Sequence, residues 1–269
     1  MLDKIKNFFG LSKIPFSKTI GVNELFISAE IKEAAARMEL AVQTEDLTLI
    51  TGAVGCGKST ALRYFINQLD PNPFKIIYIS ADNIKTGEIA KIALRQMQIQ
   101  PPYQQTAAIQ KFKQTVIQFN REKNIKPVLI IDEVQELSVP ALQMLKNMVN
   151  FGFDSESLLF ILLCGQKEFL DTLELRSLES LKRRIRIQYD IGPLTLEETS
   201  KYITHHLKIC GVQKAIYTDD TKSQIYTLTK GIVSSINQIC YDLLIEAVAE
   251  SKDIIEPSMI EKLASRFSK

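Results

Sequence analysis

Residues 51–60 read TGAVGCGKST, and from Gly52 to Ser59 they follow the spacing G-x-x-x-x-G-K-[ST]. Glycines let the backbone of such a segment curl until successive N–H groups point inward at an anion. The lysine of the pattern, Lys58, can reach β- and γ-phosphates, and the Ser59 hydroxyl can complete the ligand shell of a Mg²⁺ ion. The pattern therefore predicts a phosphate-binding loop that consists of Gly52, Ala53, Val54, Gly55, Cys56, Gly57, Lys58, Ser59 and Thr60.

The residues on either side of this loop have the patterns that a phosphate site requires. The run LTLIT at Leu47–Thr51 is typical of a buried strand that leads directly into the loop. After the loop, apolar residues recur at the i, i+3, i+4, i+7 spacing of one helix face, at Leu62, Phe65, Ile66 and Leu69. A strand, a loop and a helix in this order place the helix N-terminus toward the phosphates.

A pair of acidic residues supplies the second half of the predicted site. The run VLIIDEVQ at Val128–Gln135 reads as a buried strand that ends in Asp132 and Glu133. Hydrolysis of a nucleoside triphosphate requires one carboxylate near the Mg²⁺ shell and a second one near the attacking water. Asp132 is therefore predicted to hold Mg²⁺ through water, and Glu133 to polarise the attacking water. The GTPase pattern N/T-K-x-D is missing, so the expected nucleotide is ATP.

The alternation of apolar runs and helical patterns predicts an α/β fold with a parallel five-stranded sheet covered on both faces. The predicted strands are Leu47–Thr51, Lys75–Ser80, Val128–Asp132, Leu158–Cys164 and Ile185–Ile191. From Thr195 onward only helical patterns occur. We therefore predict an ATPase domain over residues 1–193 and a helical lid domain over residues 194–269.

Composition excludes several other classes of protein. With 45% hydrophobic and 24% charged residues and a net charge of +2, the chain is an ordinary globular protein that could bury a large core. The four cysteines form no C-x-x-C pair, which favours a reducing cytoplasm over a disulfide or zinc site. The longest apolar run, Leu158–Cys164, is far too short to span a membrane, so no membrane contact is expected. The adjacent His205 and His206 are expected at the surface.

The ordered series of motifs resembles that of the AAA+ ATPases: a phosphate-binding loop, an Asp-Glu pair, a glutamine after the next strand, arginines before the fifth strand, and a helical lid. A finer similarity is to secretion-pathway ATPases of the ExeA type and to transposition helper ATPases of the MuB, TniB and TnsC kind. It covers nearly the whole chain. The segments that carry it are FFGLSKIPFS, the Leu25-Phe26 pair, TGAVGCGKST, LIIDEVQEL, LLCGQKEF and PLTLEET.

This resemblance implies roles for residues that spacing alone does not identify. Gln166 matches the sensor residue that contacts the γ-phosphate or the water. Arg184 matches the arginine that these proteins insert into the ATP site of a neighbouring subunit, with Arg183 as the second choice. Pro15 and Phe16 match the segment that closes over the adenine, although core packing explains such a pair nearly as well.

One position departs from the family pattern. The lid motif G-[IN]-P-R stands here as GIVS at residues 231–234, so Ser234 replaces the sensor arginine of the lid. A serine is too short and carries no charge, which puts the coupling of the lid to the γ-phosphate in doubt.

Two functions follow from the resemblance. The secretion proteins carry a membrane span after the lid, whereas this sequence stops at Lys269, so we expect a transposition helper. Such a protein assembles on duplex DNA in its ATP state, as a closed ring or helical filament of identical subunits, and presents the DNA to a transposase. Lysines and arginines between the second and third strands suit sequence-independent phosphate contacts. They are Lys85, Lys91, Arg95, Lys111, Lys113, Arg121 and Lys123.

The alternative function is that of a cytosolic ATP-dependent switch of the ExeA secretion type, which acts on a protein partner without DNA. The nearly balanced charge of the chain favours this second function, since a DNA filament is expected to be more basic.

Overall fold

A parallel β-sheet of five strands, in the order β2-β3-β4-β1-β5, organises the chain up to Ile191. The structure is a computed structural model that describes residues 1–17, 19–44, 47–82, 84–85, 87–149, 151 and 157–267. The strands are β1 (Leu47–Gly52), β2 (Phe74–Ser80), β3 (Lys126–Asp132), β4 (Phe160–Gly165) and β5 (Ile185–Ile191). All neighbouring strands pair in parallel, which confirms the predicted sheet.

Burial differs between the inner and outer strands for a physical reason. Every residue of β1 and β4 is buried, because helices cover both faces of the inner strands and only apolar runs satisfy that environment. The edge strand β5 instead alternates, with Arg186, Gln188 and Asp190 exposed. At this edge the Arg37 guanidinium lies 4.7 Å from the centre of the Tyr189 ring.

Helices connect the strands and complete a first compact unit, which we call the sheet unit, of residues 31–53 and 58–191. Its helices are most of α2 (Ala29–Thr44), α3 (Lys58–Gln68), α4 (Glu88–Gln96), α5 (Gln105–Lys123), α6 (Val139–Met148), α7 (Phe169–Leu173) and α8 (Glu179–Lys182). Their apolar sides form one continuous core with the strands, in which Phe112, Phe169 and Leu145 are fully buried.

The second compact unit, which we call the lid unit, consists of residues 1–30, 54–57 and 192–269. Its helices are α1 (Leu2–Phe9), α9 (Leu196–Ile209), α10 (Asp219–Thr229), α11 (Val233–Ala249) and α12 (Pro257–Phe267). The predicted division assigned residues 1–193 to one domain, whereas here the first thirty residues pack with the C-terminal helices. The reason is that Ile5, Phe9, Leu11 and Phe16 are buried in the core of the lid unit.

Hydrogen bonds fix the start of the lid helices. Thr195 caps α9, since its hydroxyl accepts from the Glu198 N–H while the Glu198 carboxylate accepts from the Thr195 N–H. The other oxygen of Glu198 accepts from the Ala29 N–H at 2.9 Å. The Glu30 carboxylate accepts from the Gly192 N–H, also at 2.9 Å. The sequence PLTLEET therefore supplies both the helix cap and the anchor for the N-terminal segment.

The two histidines are not a surface pair as expected, since His206 lies in the lid core with 3% of its surface exposed. Its Nδ1 accepts a hydrogen bond from the Phe16 N–H at 3.1 Å, and its ring stacks on the Phe16 ring at 5.1 Å. Burial lowers the pKa of His206 to about 3, with smaller contributions from His205 and Lys13. His205 is half-buried, and its Nε2 lies 2.8 Å from the Glu24 carbonyl.

None of the helices within the described ranges combines the length and the apolar character that a bilayer span requires.

The buried His206 predicts a pH-dependent stability. Above pH 6.5, the pKa of the ring in the unfolded chain, the ring is neutral in both the folded and the unfolded state, and no stability is lost through its burial. As the pH falls from 6.5 toward 3 only the unfolded chain takes up the proton, so stability is lost. Between pH 7.5 and 4.5 we expect the unfolding midpoint of the wild type to fall about 5 °C more than that of His206→Gln. Thermal unfolding with His205→Gln as the control checks this, and parallel curves for wild type and His206→Gln would contradict it.

Candidate active site

The phosphate-binding loop joins β1 to α3, as its flanking patterns predicted. Lys58 is the first residue of α3 and is 7% exposed, and its ammonium donates to the Gly52 and Ala53 carbonyls at 3.0 and 3.2 Å. These bonds hold the ammonium inside the curve of the loop. Around it, Val54 is exposed and Cys56 is buried, while Ser59 and Thr60 lie in the first turn of α3.

The loop backbone fits phosphate groups. Gly55 and Gly57 have φ angles of 80° and 103°, in the left-handed region, which lets their N–H groups turn toward the inside of the loop. Lys58, which directly follows Gly57 in the sequence, is buried at the start of α3, and a lysine and a helix N-terminus both attract anions. The residues present therefore suit the phosphates of a nucleotide.

The acidic pair lies at the carboxyl end of β3, at the same edge of the sheet at which β1 leads into the loop. Asp132 is 4% exposed; its Oδ2 accepts from the Tyr78 hydroxyl at 2.8 Å and its Oδ1 from the Glu133 N–H at 2.9 Å. Burial, and then the hydrogen bond to Asp132, raise the pKa of Tyr78, so the phenol stays a donor. The Tyr78 contact was not predicted, because an aromatic residue in an edge strand carries no local signal of its partner.

Metal-binding capacity depends on this pair together with other oxygens. Among the described residues no group of three or more His, Cys, Asp or Glu side chains could hold a metal ion. A Mg²⁺ ion at this edge would therefore take most of its ligands from phosphate and water. Asp132 and the Ser59 hydroxyl are suited to that shell, because carboxylate and hydroxyl oxygens are the kind of ligand that Mg²⁺ prefers.

Glu133 and Gln166 are brought together by a residue that spacing did not identify. The Glu133 Oε2 accepts from the Gln135 Nε2 at 2.6 Å, and the Gln135 Oε1 accepts from the Gln166 N–H at 3.0 Å. Glu133 itself has a φ of 53°, a left-handed conformation that is costly for a residue with a side chain. The strand order explains the meeting, since β3 and β4 are neighbours and end at the same edge.

Arg184 is placed away from the phosphate site of its own sheet unit. It directly precedes β5, whose first residue, Ile185, pairs with Leu47, while its last residue, Ile191, pairs with Gly52 of the loop. The strand separates the two by about 20 Å at ~3.3 Å per residue. The neighbouring Arg183 is exposed and forms an ion pair with Glu179.

Pro15 and Phe16 line a cavity of about 600 Å³ in the lid unit, together with residues that include Ser234, Asn237 and Tyr241. This volume is within the range of sites that bind small molecules. The Phe16 ring is not available as a free cover, because it is 6% exposed and stacks on His206.

Ser234 contacts the apex of the phosphate-binding loop directly. Its N–H donates to the Gly55 carbonyl at 3.2 Å. A Cβ at Gly55 would lie 1.9 Å from the Ser234 hydroxyl oxygen and 2.7 Å from its Cβ, so only glycine fits opposite this serine. Ser234 stands at the position for which the family resemblance implies an arginine, and its small side chain lets α11 lie against the loop at Gly55.

Comparisons with known proteins identify a domain family for part of the chain. Residues 41–173 match a family described as AAA domain. General secretion pathway protein A of Aeromonas hydrophila is 30% identical over 246 residues, which are 90% of this chain and 44% of that protein. The chain thus spans less than half of the length of this curated relative.

Solved structures share the fold. The Cdc6p protein of Pyrobaculum aerophilum superposes with a TM-score of 0.69 at 14% identity, over 93% of this chain and 70% of that one. The ORC2 protein of Aeropyrum pernix, in its ADPNP-ADP complexes, gives a TM-score of 0.68 at 17% identity over the same shares. The fold is therefore that of a P-loop AAA+ domain with a helical C-terminal region.

The contact between Ser234 and Gly55 predicts a coupled pair of substitutions. Gly55→Ala places a methyl group against Ser234, so we expect a lower unfolding midpoint and nucleotide binding that is weaker by about tenfold or more. Ser234→Gly removes both clashing atoms and should recover most of this loss, apart from the ~1 kcal/mol cost of alanine at positive φ.

Thermal unfolding and titration with a fluorescent ATP analogue measure both effects in the four variants of the cycle. Gly21→Ala is the control, because the nearest atom to its added Cβ lies at 3.6 Å and its φ is negative. Equal losses from Gly55→Ala in the presence and absence of Ser234 would show that the contact does not constrain the loop.

Proposed function

We propose that this chain is a Mg²⁺-dependent ATP hydrolase that works as a cytosolic switch of the kind represented by General secretion pathway protein A, as a homo-oligomer that acts on a protein partner. The observation that supports the hydrolase is the strand order, in which β1, which leads to Lys58, and β3, which ends at Asp132 and is followed by Glu133, are separated by one parallel strand. The similarity to the secretion protein supports the partner class. All four cysteines are buried as thiols and not as disulfides, which suits a reducing compartment.

Each residue has a distinct task in this proposal. The Lys58 ammonium and the loop N–H groups bind the β- and γ-phosphates, and the Ser59 hydroxyl and Asp132 hold the Mg²⁺ ion, which neutralises phosphate charge when bound. Glu133 accepts the proton of the attacking water, and Gln166 orients that water or the γ-phosphate. The cavity beside Pro15 receives the adenine.

Arg184 acts on the ATP site of a neighbouring subunit. Its place at the amino end of β5, about 20 Å along the strand from its own loop, supports a role in trans. Arginine suits this role because its charge is permanent and its length spans an interface. Hydrolysis then depends on assembly, and the bound nucleotide sets the lifetime of the oligomer.

Assembly on duplex DNA for a transposase, the function preferred on sequence, is the second candidate. The observation that favours it is the exposure of Lys85, Arg95 and Lys111 around α4 and α5. Other cations of the predicted set have partners within the chain: Lys91 donates to the Tyr103 carbonyl, and Lys113 donates to the Asn147 carbonyl. The secretion relative supports the protein switch more directly, so we rank DNA second.

If Glu133 is the general base, its substitution should lower ATP hydrolysis and leave ATP binding nearly unchanged. Glu133→Gln keeps the size of the side chain but cannot accept the proton, so kcat should fall by about 10²–10⁴-fold while the ATP dissociation constant stays within about twofold. Steady-state hydrolysis and equilibrium binding measure the two quantities. Turnover equal to the wild type would remove Glu133 from the mechanism.

Arg184 predicts complementation between two inactive proteins. Arg184→Ala should cut assembly-stimulated hydrolysis about a hundredfold or more, because a trans arginine contributes about 10³–10⁵ in rate. Ser234→Ala, in contrast, should change it only slightly. Mixing Arg184→Ala with Lys58→Ala subunits should restore part of the activity, since an interface between them can hold one complete site. A mixture no more active than its components would contradict a shared site.

Salt dependence separates the two candidate functions. With a non-hydrolysable ATP analogue, the protein switch predicts no duplex binding that survives physiological salt. A transposition helper predicts ATP-dependent, sequence-independent binding whose affinity falls steeply as salt rises. Fluorescence anisotropy with a labelled random duplex measures this, and tight ATP-dependent binding at ~150 mM salt would reverse our ranking.

A further inference from the structure

Gln135 lies between the two catalytic candidates and contacts both through one amide group. Its Nε2 donates to the Glu133 Oε2 at 2.6 Å, and its Oε1 accepts from the Gln166 N–H at 3.0 Å. The two partners stand at the ends of neighbouring strands, β3 and β4. One side chain therefore bridges the end of the strand that carries the base and the end of the strand that carries the sensor residue.

The two partners fix which way the amide points. A carboxylate can only accept, and a backbone N–H can only donate, so the Gln135 nitrogen must face Glu133 and its oxygen must face Gln166. Rotating the amide by half a turn would place two acceptors together on one side and two donors together on the other. The bridge thus has a single satisfied orientation.

The end of β4 is shaped to leave room for this bridge. A Cβ at Gly165 would lie 2.7 Å from the Gln135 Oε1 and 2.7 Å from the Val134 Cγ1. Val134 is fully buried, and the turn that holds it is closed by bonds from the Glu136 and Leu137 N–H groups to the Glu133 and Val134 carbonyls. A side chain at Gly165 would therefore displace the Gln135 oxygen, because the buried turn cannot move aside.

Glu133 needs such a support. Its φ of 53° is an unfavourable conformation for a residue with a Cβ and persists where neighbouring groups determine it. The carboxylate extends from this turn on a chain with several rotamers. A hydrogen bond from a side chain that is itself anchored to the backbone of β4 restricts those rotamers, as catalysis by a general base requires.

We propose that Gln135 is the positioning residue for Glu133 and couples its orientation to the Gln166 end of β4. This inference rests on the proposed ATP hydrolysis. Any displacement of Gln166 that follows the state of the γ-phosphate changes the distance from its N–H to the Gln135 oxygen, and the rigid amide passes that change to the Glu133 carboxylate. Gln135 thereby makes the base responsive to the nucleotide without touching it.

Two substitutions test the two ends of the bridge. Gln135→Met keeps the length of the side chain and removes both hydrogen bonds. Gln135→Glu keeps an oxygen for the Gln166 N–H but places a second carboxylate against Glu133. We expect kcat to fall about tenfold or more in both variants, since a misplaced base loses part of its 10²–10⁴-fold contribution, while KM and the ATP dissociation constant change less than about twofold.

The matched control is Gln118→Met. The Gln118 amide donates to the Glu122 carboxylate at 2.9 Å on the exposed side of α5, so this variant removes the same kind of hydrogen bond away from the site. Its kcat should equal that of the wild type. The unfolding midpoint of each variant shows whether it is folded, and Gln135→Glu provides the test if Gln135→Met does not fold.

The decisive measurement is the hydrolysis rate of a double variant, because a merely structural role of Gln135 predicts a different result. In a Glu133→Gln protein, Gln135→Met should cause no further loss of the residual hydrolysis, because the residue acts only through the base. A multiplied loss, or an unchanged kcat in Gln135→Met alone, would overturn the inference while leaving ATP hydrolysis by the wild type in place. A wild type that does not hydrolyse ATP would overturn both.

Discussion

Three parallel strands that lie side by side, β3, β4 and β1, bring the candidate active-site residues of the sheet unit to one edge. Because the carboxyl ends of parallel strands share an edge, Asp132, Gln166 and the start of the phosphate-binding loop meet there although they are distant in sequence. The burial of these strands on both faces makes the edge rigid. A site for phosphoryl transfer depends mainly on such fixed positioning, since the protein contributes little covalent chemistry.

Two residues of the candidate site have left-handed backbone conformations. Gly55 and Glu133 both have positive φ, and each accepts a hydrogen bond: the Gly55 carbonyl from the Ser234 N–H, and the Glu133 carboxylate from the Gln135 amide. The unfavourable conformation of Glu133 is held by Gln135, which is two residues further along the chain, whereas Gly55 is contacted by Ser234, which is distant in sequence. Ser234 connects α11 to the phosphate-binding loop at Gly55, and Gln135 connects the end of β4 to Glu133.

The sequence patterns predicted what depends on local periodicity. The apolar runs located all five strands, and the loop spacing placed Lys58 at the start of a helix. They could not predict the pairs that depend on register between distant elements, such as Tyr78 with Asp132 or Gln135 with Gln166, because neither partner carries a local signal of the other. The prediction that His206 lies at the surface was wrong for the same reason. A polar residue in a helix is expected to be exposed, and nothing near His206 in the sequence indicates that the segment around Phe16 covers it.

We propose that a complete hydrolytic site forms only between subunits, because Arg184 lies about 20 Å along β5 from the loop of its own sheet unit. The most direct test is the specific rate of ATP hydrolysis per subunit as a function of protein concentration, at saturating ATP and Mg²⁺. If Arg184 acts in trans, the rate per subunit should rise by about a hundredfold or more with concentration and level off as assembly completes. A rate per subunit that is constant from dilute to concentrated protein would contradict it, because each subunit would then hold every group that hydrolysis needs.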